Sequence, residues 1–155
     1  MSQEIPAAPG SAAIVEPATW RDLSSLRNLE QICFPLDVWP LLDLVGVLSF
    51  PGVVRLKASH DGKMVGFIAA DIRRREKTAW ISTLGVLPDY RRKGIATALL
   101  KACEERIQVV RIRLSVRASN EPALRLYTRV GYRQYGIWAR YYVDGEDALI
   151  FEKSL

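Results

Sequence analysis

The residues best suited to chemistry form a short basic loop, Arg91-Arg92-Lys93-Gly94-Ile95-Ala96, between a strand-like and a helix-like segment. The start of a helix presents several unpaired backbone N–H groups and the positive end of the helix dipole. Gly94 and the small Ala96 leave that backbone open to an anion, and three cations lie beside it. The sequence therefore predicts a phosphate or pyrophosphate site. An ordinary basic turn before a helix has the same residue types and stays the alternative.

Two common phosphate-binding patterns are absent from the sequence. It contains neither the Gly-x-x-x-x-Gly-Lys-Ser/Thr loop of nucleoside triphosphatases nor the Gly-x-Gly-x-x-Gly turn of dinucleotide-binding proteins. Those two function classes are therefore excluded.

Cysteine and histidine offer little further chemistry. Cys33 and Cys103 lie far apart among apolar neighbours, which favours two small core side chains over a nucleophile or a disulfide. The single histidine, His60, adjoins the turn residues Asp61 and Gly62, and we expect it to be a solvent-exposed loop residue. No metal site is predicted.

Length and composition indicate an ordinary globular protein. A chain of 155 residues fits one domain, and we expect a flexible tail at residues 1–12 followed by a single domain at residues 13–155. The net charge of +5 favours anionic partners. Without zinc-ligand spacing, a basic zipper or an RNA-binding aromatic signature, no nucleic-acid partner is expected. Neither a signal peptide nor a membrane span is apparent, so a cytoplasmic location is expected.

The first half of the chain reads as a strand, two helices and three strands. A strand at residues 13–15 precedes Thr19 and Asp22, which form a capping-box-like pair before a stripe of Leu23, Leu26, Leu29 and Ile32. We expect that helix to end at Pro35 and a second one to span residues 39–50. Strands follow at residues 53–58, 64–70 and 80–86, with a solvated charged turn at residues 73–77.

The second half alternates helices with strands. Ile95, Leu99, Cys103 and Ile107 recur every four residues on a helix predicted to begin near Arg92. A strand with alternating apolar residues spans 111–117, and Asn120 is placed to cap a helix that stops at Gly131. Two last strands are predicted at about 132–142 and 148–153. The fold class is therefore α/β or α+β, with a mixed sheet.

These residues together resemble the GNAT superfamily of acyl-CoA N-acyltransferases. Its signature is Gln or Arg, two residues, Gly, one residue, then Gly or Ala, and the loop at residues 91–96 matches every fixed position. The resemblance continues through residues 84–86, Asn120 and residues 126–127. It implies a mostly antiparallel central sheet of about seven strands flanked by about four helices.

The resemblance implies direct attack of an amine on the thioester of acetyl-CoA. It also implies contacts with the cofactor from Leu84, Gly85, Val86, Arg91, Arg92, Lys93, Gly94, Ile95, Ala96, Thr97, Asn120 and Tyr127. Tyr127 would act as general acid for the departing thiolate, with its hydroxyl held close to the sulfur. Helical spacing alone is equally consistent with Tyr127 as one more residue of an apolar helix face.

Within the superfamily, the chain is most similar to N-terminal protein acetyltransferases of the ribosomal-protein-alanine type. The likeness lies in residues 33–35, 116–120 and 140–148. It implies that the groove for a peptide N-terminus is lined by Phe34, Pro35, Tyr141 and Tyr142. Packing of exposed aromatic loops is the alternative explanation of these residues.

One position departs from that type. Where the relatives have a general base, Glu or His, this chain has Ser115, which cannot take a proton at neutral pH but can hold a water as a relay. An α-amine has a pKa of about 8, so the change mildly favours N-termini over lysine side chains. Glu30 and Asp71 are other carboxylates that could serve as base.

Two alternatives to N-terminal acetylation stay open at the level of sequence. One is an enzyme that acetylates a small amine such as an antibiotic, a polyamine or an amino acid. The other is an acyl-CoA-binding module without catalysis. The protein is expected to be a monomer or a homodimer.

Overall fold

The computed structural model describes residues 3–6 and 12–155. Within them the chain forms eight strands and four α-helices. In chain order they are β1 (Gln3–Pro6), β2 (Ala12–Pro17), α1 (Leu23–Cys33), α2 (Leu41–Ser49), β3 (Val53–His60), β4 (Lys63–Arg73), β5 (Thr78–Val86), α3 (Ile95–Arg106), β6 (Arg111–Arg117), α4 (Glu121–Arg129), β7 (Arg133–Trp138) and β8 (Ala148–Ser154). The predicted mixed, mostly antiparallel fold with four helices is confirmed, with one strand more than expected.

The chain divides into two compact units. The first contains residues 1–71 and 82–107, and the second contains residues 72–81 and 108–155. Strands β4 and β5 each contribute residues to both units. The predicted single domain at 13–155 is not tested by this division and stays a prediction.

The first unit is an antiparallel sheet packed with helices α1, α2 and α3. Its strands are hydrogen bonded in the order β1-β2-β3-β4-β5, with a bulge in β3 at Ala58 and Ser59. Gly66 on β4 lets helix α3 approach closely, because a Cβ there would meet Leu99 and Ile95 at 3.1 and 3.2 Å. The buried residues Ile95, Leu99, Cys103 and Ile107 confirm the predicted apolar stripe of α3.

The second unit is a mixed sheet with helix α4. Strand β5 pairs in parallel with β6 from Thr78 to Trp80, whereas β8 runs antiparallel to β6 and β7. The predicted alternation of β6 is confirmed, since its apolar residues Ile112 and Leu114 are buried and its polar residues are half-buried. Strand β7 ends the order and carries a bulge between Gln134 and Gly136.

The two predicted helix caps are present. Thr19 and Asp22 form a capping box at a short 3-10 turn before α1, with the Thr19 N–H donating to Asp22 Oδ2 at 2.8 Å. Asn120 caps α4 by accepting the Ala123 N–H at 3.3 Å. Side-chain acceptors at these positions bind N–H groups that have no partner inside the helix.

Some element limits differ from the prediction. Helix α3 begins at Ile95 rather than near Arg92, because Arg92 and Gly94 adopt left-handed backbone (φ 61° and 79°) that a helix cannot include. Strand β7 ends at Trp138 rather than at residue 142, since a turn with Arg140 at φ 51° follows it. Strand β1 falls inside the segment predicted as a tail; residues 1–2 and 7–11 of that segment lie outside the described residues.

Three side chains also differ from expectation. Ile32, expected on the apolar stripe of α1, is 46% exposed, and the stripe continues through the buried Glu30 instead. Cys33 is half-buried rather than a core residue, whereas Cys103 is fully buried. His60 is half-buried and its ring lies 5.6 Å from that of Tyr90, so it is not a freely exposed loop residue.

In the part of the chain that the structure describes, no helix combines the length and the apolar character needed to cross a bilayer. The described residues also contain no cluster of three or more His, Cys, Asp or Glu side chains arranged for a metal ion. The expected cytoplasmic location stays a prediction.

Candidate functional site

The predicted anion site in the first unit is a loop that turns from β5 into α3. A 3-10 turn at Pro88–Tyr90 follows β5, and the left-handed Arg92 and Gly94 then direct the backbone into the helix. Gly94 is the N-cap and has no side chain to bond the first N–H groups of α3. A Cβ at Gly94 would meet nothing within 4 Å, so the space above this backbone is open. The arrangement is suited to a phosphate group held by backbone N–H groups and the helix dipole.

The three cations of this loop differ in their roles. Arg91 donates from Nε to the Val86 carbonyl at 2.9 Å and thereby fixes the end of β5 to the loop. Lys93 lies with Nζ 5.5 Å from the centre of the Tyr90 ring. Arg92 is exposed. The loop therefore gains positive charge from all three, while Arg91 also shapes its backbone.

Gly85 on β5 is in close contact with the end of helix α1. A Cβ added to Gly85 would lie 3.2 Å from Leu29 and Phe34 and 3.3 Å from Cys33. These distances are tighter than ordinary van der Waals contact, so only glycine lets α1 approach the strand this closely. The contact joins residues 84–86, predicted to bind the cofactor, to Phe34, predicted to line the acceptor groove.

The Val86 carbonyl is a second point of attachment between these segments. It accepts the Cys33 thiol at 3.5 Å in addition to Arg91. Burial raises the pKa of Cys33, and the Arg91 interaction opposes that rise without cancelling it. Cys33 is therefore a neutral hydrogen-bond donor, not an activated nucleophile.

A third attachment is the hydrogen bond from Thr83 Oγ1 to Glu30 Oε1, at 2.7 Å. Both side chains are buried. Burial raises the pKa of Glu30, while the Thr83 hydrogen bond acts in the opposite direction. Residues 83, 85 and 86 are thus all held by helix α1.

In the second unit, Tyr127 occupies the core face of α4. It is 8% exposed, and its ring centre lies 5.8 Å from that of Tyr132 and 6.4 Å from that of Phe151. Burial, with a smaller effect of Tyr142, raises the pKa of Tyr127. The phenol therefore stays protonated over the physiological range, as a proton donor must.

Two other predicted residues of this unit have ordinary structural positions. Asn120 uses its side-chain oxygen to cap α4, and Ser115 is half-buried on β6 opposite Ile150 of β8. Their predicted contacts with a cofactor and with a water remain predictions.

The predicted acceptor residues Tyr141 and Tyr142 lie in the turn between β7 and β8. Their rings meet edge to face with centres 5.1 Å apart, and Tyr141 also lies 5.1 Å from Trp138. Tyr141 is 54% exposed, whereas Tyr142 is half-buried. In the first unit, Phe34 is half-buried and Pro35 is exposed.

The sequence reasoning did not identify Arg117 as the residue that organises this turn. Its Nη1 donates to Asp144 and to Glu146, each at 2.8 Å, and its guanidinium carbon lies 4.2 Å from the centre of the Tyr142 ring. The Ser119 N–H also donates to Glu146 at 2.7 Å. A hydrogen bond within the turn and Arg117 lower the pKa of Asp144, while Ser119 and Arg117 lower that of Glu146. The sequence feature that could have predicted these contacts is the presence of two carboxylates in the turn and one arginine on the polar face of β6.

Glu30 was identified only as one of several carboxylates. The signal for its burial is present in the sequence, because Leu26, Leu29, Glu30 and Cys33 have the i, i+3, i+4, i+7 spacing of a core-facing stripe. Asp71, the other carboxylate considered, lies on β4 and is half-buried.

Comparisons with known proteins agree on one family. The model of the acetyltransferase (GNAT) family matches residues 23–132. The catalytic subunit NAA10 of the N-terminal acetyltransferase A complex of Arabidopsis thaliana is 32% identical over 145 residues, covering 89% of this chain and 76% of that protein.

Two solved structures extend the likeness to the fold. The ribosomal-protein-S18-alanine N-acetyltransferase of Escherichia coli matches with a TM-score of 0.82 and 28% identity, over 92% of this chain and 93% of that chain. NAA60 of Arabidopsis thaliana in complex with acetyl-CoA matches with a TM-score of 0.80 and 24% identity, over 92% and 98%.

The contact at Gly85 predicts the effect of a single methyl group. Gly85→Ala forces the new Cβ against Leu29, Phe34 and Cys33, and we expect the free energy of unfolding to fall by about 1 to 3 kcal/mol, as for other overpacked cores. Urea denaturation followed by tryptophan fluorescence measures it. Gly136→Ala is the control, because a Cβ there meets nothing within 4 Å. Equal stability of the two variants would contradict the proposed close contact.

The role of Arg117 in ordering the turn between β7 and β8 can be tested by substitution. Arg117→Met keeps the length of the side chain and removes both carboxylate contacts, so we expect amide exchange at residues 140–147 to become roughly ten times faster. Hydrogen exchange with mass spectrometry measures it. Arg125→Met is the control, since Arg125 forms only an exposed pair with Glu121 at 3.5 Å.

The same contacts have a defined pH range. Because the folded pKa values of Asp144 and Glu146 are depressed, wild-type protection of the turn persists at pH 5 and is lost only below about pH 4. Unchanged exchange in Arg117→Met would mean that the turn is held by its backbone bonds alone.

Proposed function

We propose that this chain transfers the acetyl group of acetyl-CoA to the N-terminal α-amine of a protein or peptide. The chain belongs to the GNAT acetyltransferase family. The observation that carries the proposal is the run from Thr83 to Ala96, in which strand β5 is followed by a 3-10 turn and then by a helix start opened by Gly94. Such a run provides peptide groups for an amide-containing arm and an anion site for a pyrophosphate.

The acetyl-CoA contacts we propose follow the direction of the chain. Leu84, Gly85 and Val86 bind the pantetheine arm as an added strand, which is consistent with a β5–β6 pairing that covers Thr78 to Trp80 at the far end of β5. The pyrophosphate binds at residues 91–97, where Gly94 keeps the backbone open. Asn120 and Tyr127 of the second unit are proposed as further acetyl-CoA contacts.

The residues proposed for the acceptor belong to both units. Phe34 and Pro35 follow α1 and are fixed relative to Gly85 by the contact described above. Tyr141 and Tyr142 belong to the turn held by Arg117. Ordered aromatic side chains bind a peptide with little loss of conformational entropy, because they have few rotatable bonds. The likeness to the NAA10 catalytic subunit supports a protein N-terminus as acceptor.

In the proposed reaction, the neutral amine attacks the thioester carbonyl, the C–S bond breaks and the thiolate leaves. A thiol has a pKa of about 8.5, so its anion is a good leaving group that needs only a nearby donor. Tyr127 gives that proton to the sulfur and regains one from the amine nitrogen, which loses a proton as the amide forms. The raised pKa of Tyr127 keeps it protonated throughout the range in which the amine becomes neutral.

A thiol-release assay with acetyl-CoA tests the proposed function. We expect CoA release with short peptides that have a free N-terminus and none with the same peptides after N-terminal acetylation. Polyamines and aminoglycosides are the comparison set. Release with those small amines alone would replace the protein N-terminus by a small-molecule acceptor, and no release with any amine would leave only an acyl-CoA-binding module.

The role of Tyr127 is tested by removing one oxygen. We expect Tyr127→Phe to lower kcat about 10²-fold, the usual scale of a general acid, with acetyl-CoA affinity nearly unchanged. Steady-state kinetics and calorimetric binding separate the two effects. Tyr135→Phe is the control, since Tyr135 is 61% exposed in the same unit. Lost acetyl-CoA binding with unchanged kcat would make Tyr127 a structural residue.

A further inference from the structure

Glu30 is the one carboxylate or cation whose side chain is buried among the described residues, with 1% of its surface exposed. Its Oε1 accepts the Thr83 hydroxyl, whereas its Oε2 is buried without any hydrogen-bond partner. No cation of the described residues forms an ion pair with it.

This burial is unfavourable for the fold. A buried carboxylate with an unsatisfied oxygen loses its hydration and gains only one neutral hydrogen bond in return. An apolar side chain of similar size fills such a position without that loss. Unsatisfied buried polar atoms in native proteins require an explanation, and one recognised explanation is a role in the reaction.

The position of Glu30 relates it to both proposed substrates. It lies on α1 one turn before Phe34, the residue that ends the helix, and Thr83 immediately precedes the cofactor segment at residues 84–86. These residues all belong to the first unit. Glu30 is therefore adjacent to the acceptor segment on one side and to the acetyl-CoA segment on the other.

The proposed reaction needs a proton acceptor that Ser115 does not supply. An α-amine of pKa about 8 is roughly 90% protonated at pH 7, and the ammonium form has no lone pair for attack. A general base works best when its pKa lies near the working pH. The upward shift that burial gives Glu30 is in that direction.

The other titratable groups on α1, on neighbouring elements and on the adjacent loop are less suited than Glu30 to accept a proton. Cys33 on α1 has a raised pKa and donates to Val86, and Arg91 is bonded to the same carbonyl. Asp43 on α2 is exposed, and Asp22, before α1, is bonded to Lys57.

We propose that Glu30 is the proton acceptor for the acceptor amine: binding of the acceptor beside Phe34 gives the amine, directly or through one bridging water, access to Oε2, which is buried in the protein without substrate, while Thr83 holds the other oxygen. The proposal rests on the proposed function. The ammonium gives one proton to Glu30, and the freed lone pair forms the N–C bond as the C–S bond breaks. The second amine proton ends on the CoA sulfur by way of Tyr127, and Glu30 releases its proton to solvent.

Glu30→Gln tests the proposal, because Gln keeps the volume and still accepts from Thr83. We expect kcat/KM for a peptide to fall about 10²-fold at pH 6.5 and only a few-fold at pH 9, where the amine is already neutral. Acetyl-CoA affinity is expected to be unchanged. A purely structural role would lower kcat/KM by the same factor at every pH, and that result would overturn the proposal.

Asp43→Asn is the matched control, an exposed carboxylate on the neighbouring helix, and we expect the wild-type profile from it. The wild-type enzyme gives a second test that needs no variant. Its kcat/KM is expected to rise with pH at an inflection below the pKa of the amine; a single inflection at the pKa of the amine, about 8, would overturn the role of Glu30. If the wild type releases no CoA with any amine, the proposed function fails instead.

Discussion

The close packing of helix α1 on residues 83–86 is the constraint on which the first unit depends. Three independent contacts maintain it: the Thr83 hydroxyl with Glu30, the bare Cα of Gly85 against α1, and the Cys33 thiol with the Val86 carbonyl. Arg91 bonds the same carbonyl and so transmits this position to the loop that opens α3. These contacts therefore fix α1, which precedes the residues proposed for the acceptor, against β5, which precedes the proposed anion site.

In the second unit, charged side chains rather than close packing order the turn between β7 and β8. Arg117 forms hydrogen bonds with two carboxylates of this turn and stacks on Tyr142. Charge-assisted hydrogen bonds of this kind are short and directional, so they hold the turn in one conformation. The first unit thus orders its residues mainly by packing, and the second orders its turn mainly by electrostatics.

Much of this arrangement was accessible from sequence, and the failures have physical causes. The apolar stripe of α3, the alternation of β6 and the caps at Thr19 and Asn120 follow local rules, and the structure confirms them. The predicted start of α3 was too early, because arginine rarely adopts the left-handed backbone that Arg92 has here and the residue type gave no sign of it. The burial of Glu30 was not predicted, because the apolar stripe of α1 was drawn from apolar residues alone, although the spacing of Glu30 places it on the core face. Its partner Thr83 is 53 residues away in sequence, and no local pattern identifies such a pair.

The bulge in β7 has a consequence for how this chain meets others. Strand β7 ends the hydrogen-bonded order of its unit, and a regular outer strand offers a row of N–H and C=O groups that a second sheet can extend. The irregularity between Gln134 and Gly136 interrupts that row. Self-association through strand addition is therefore disfavoured at this edge.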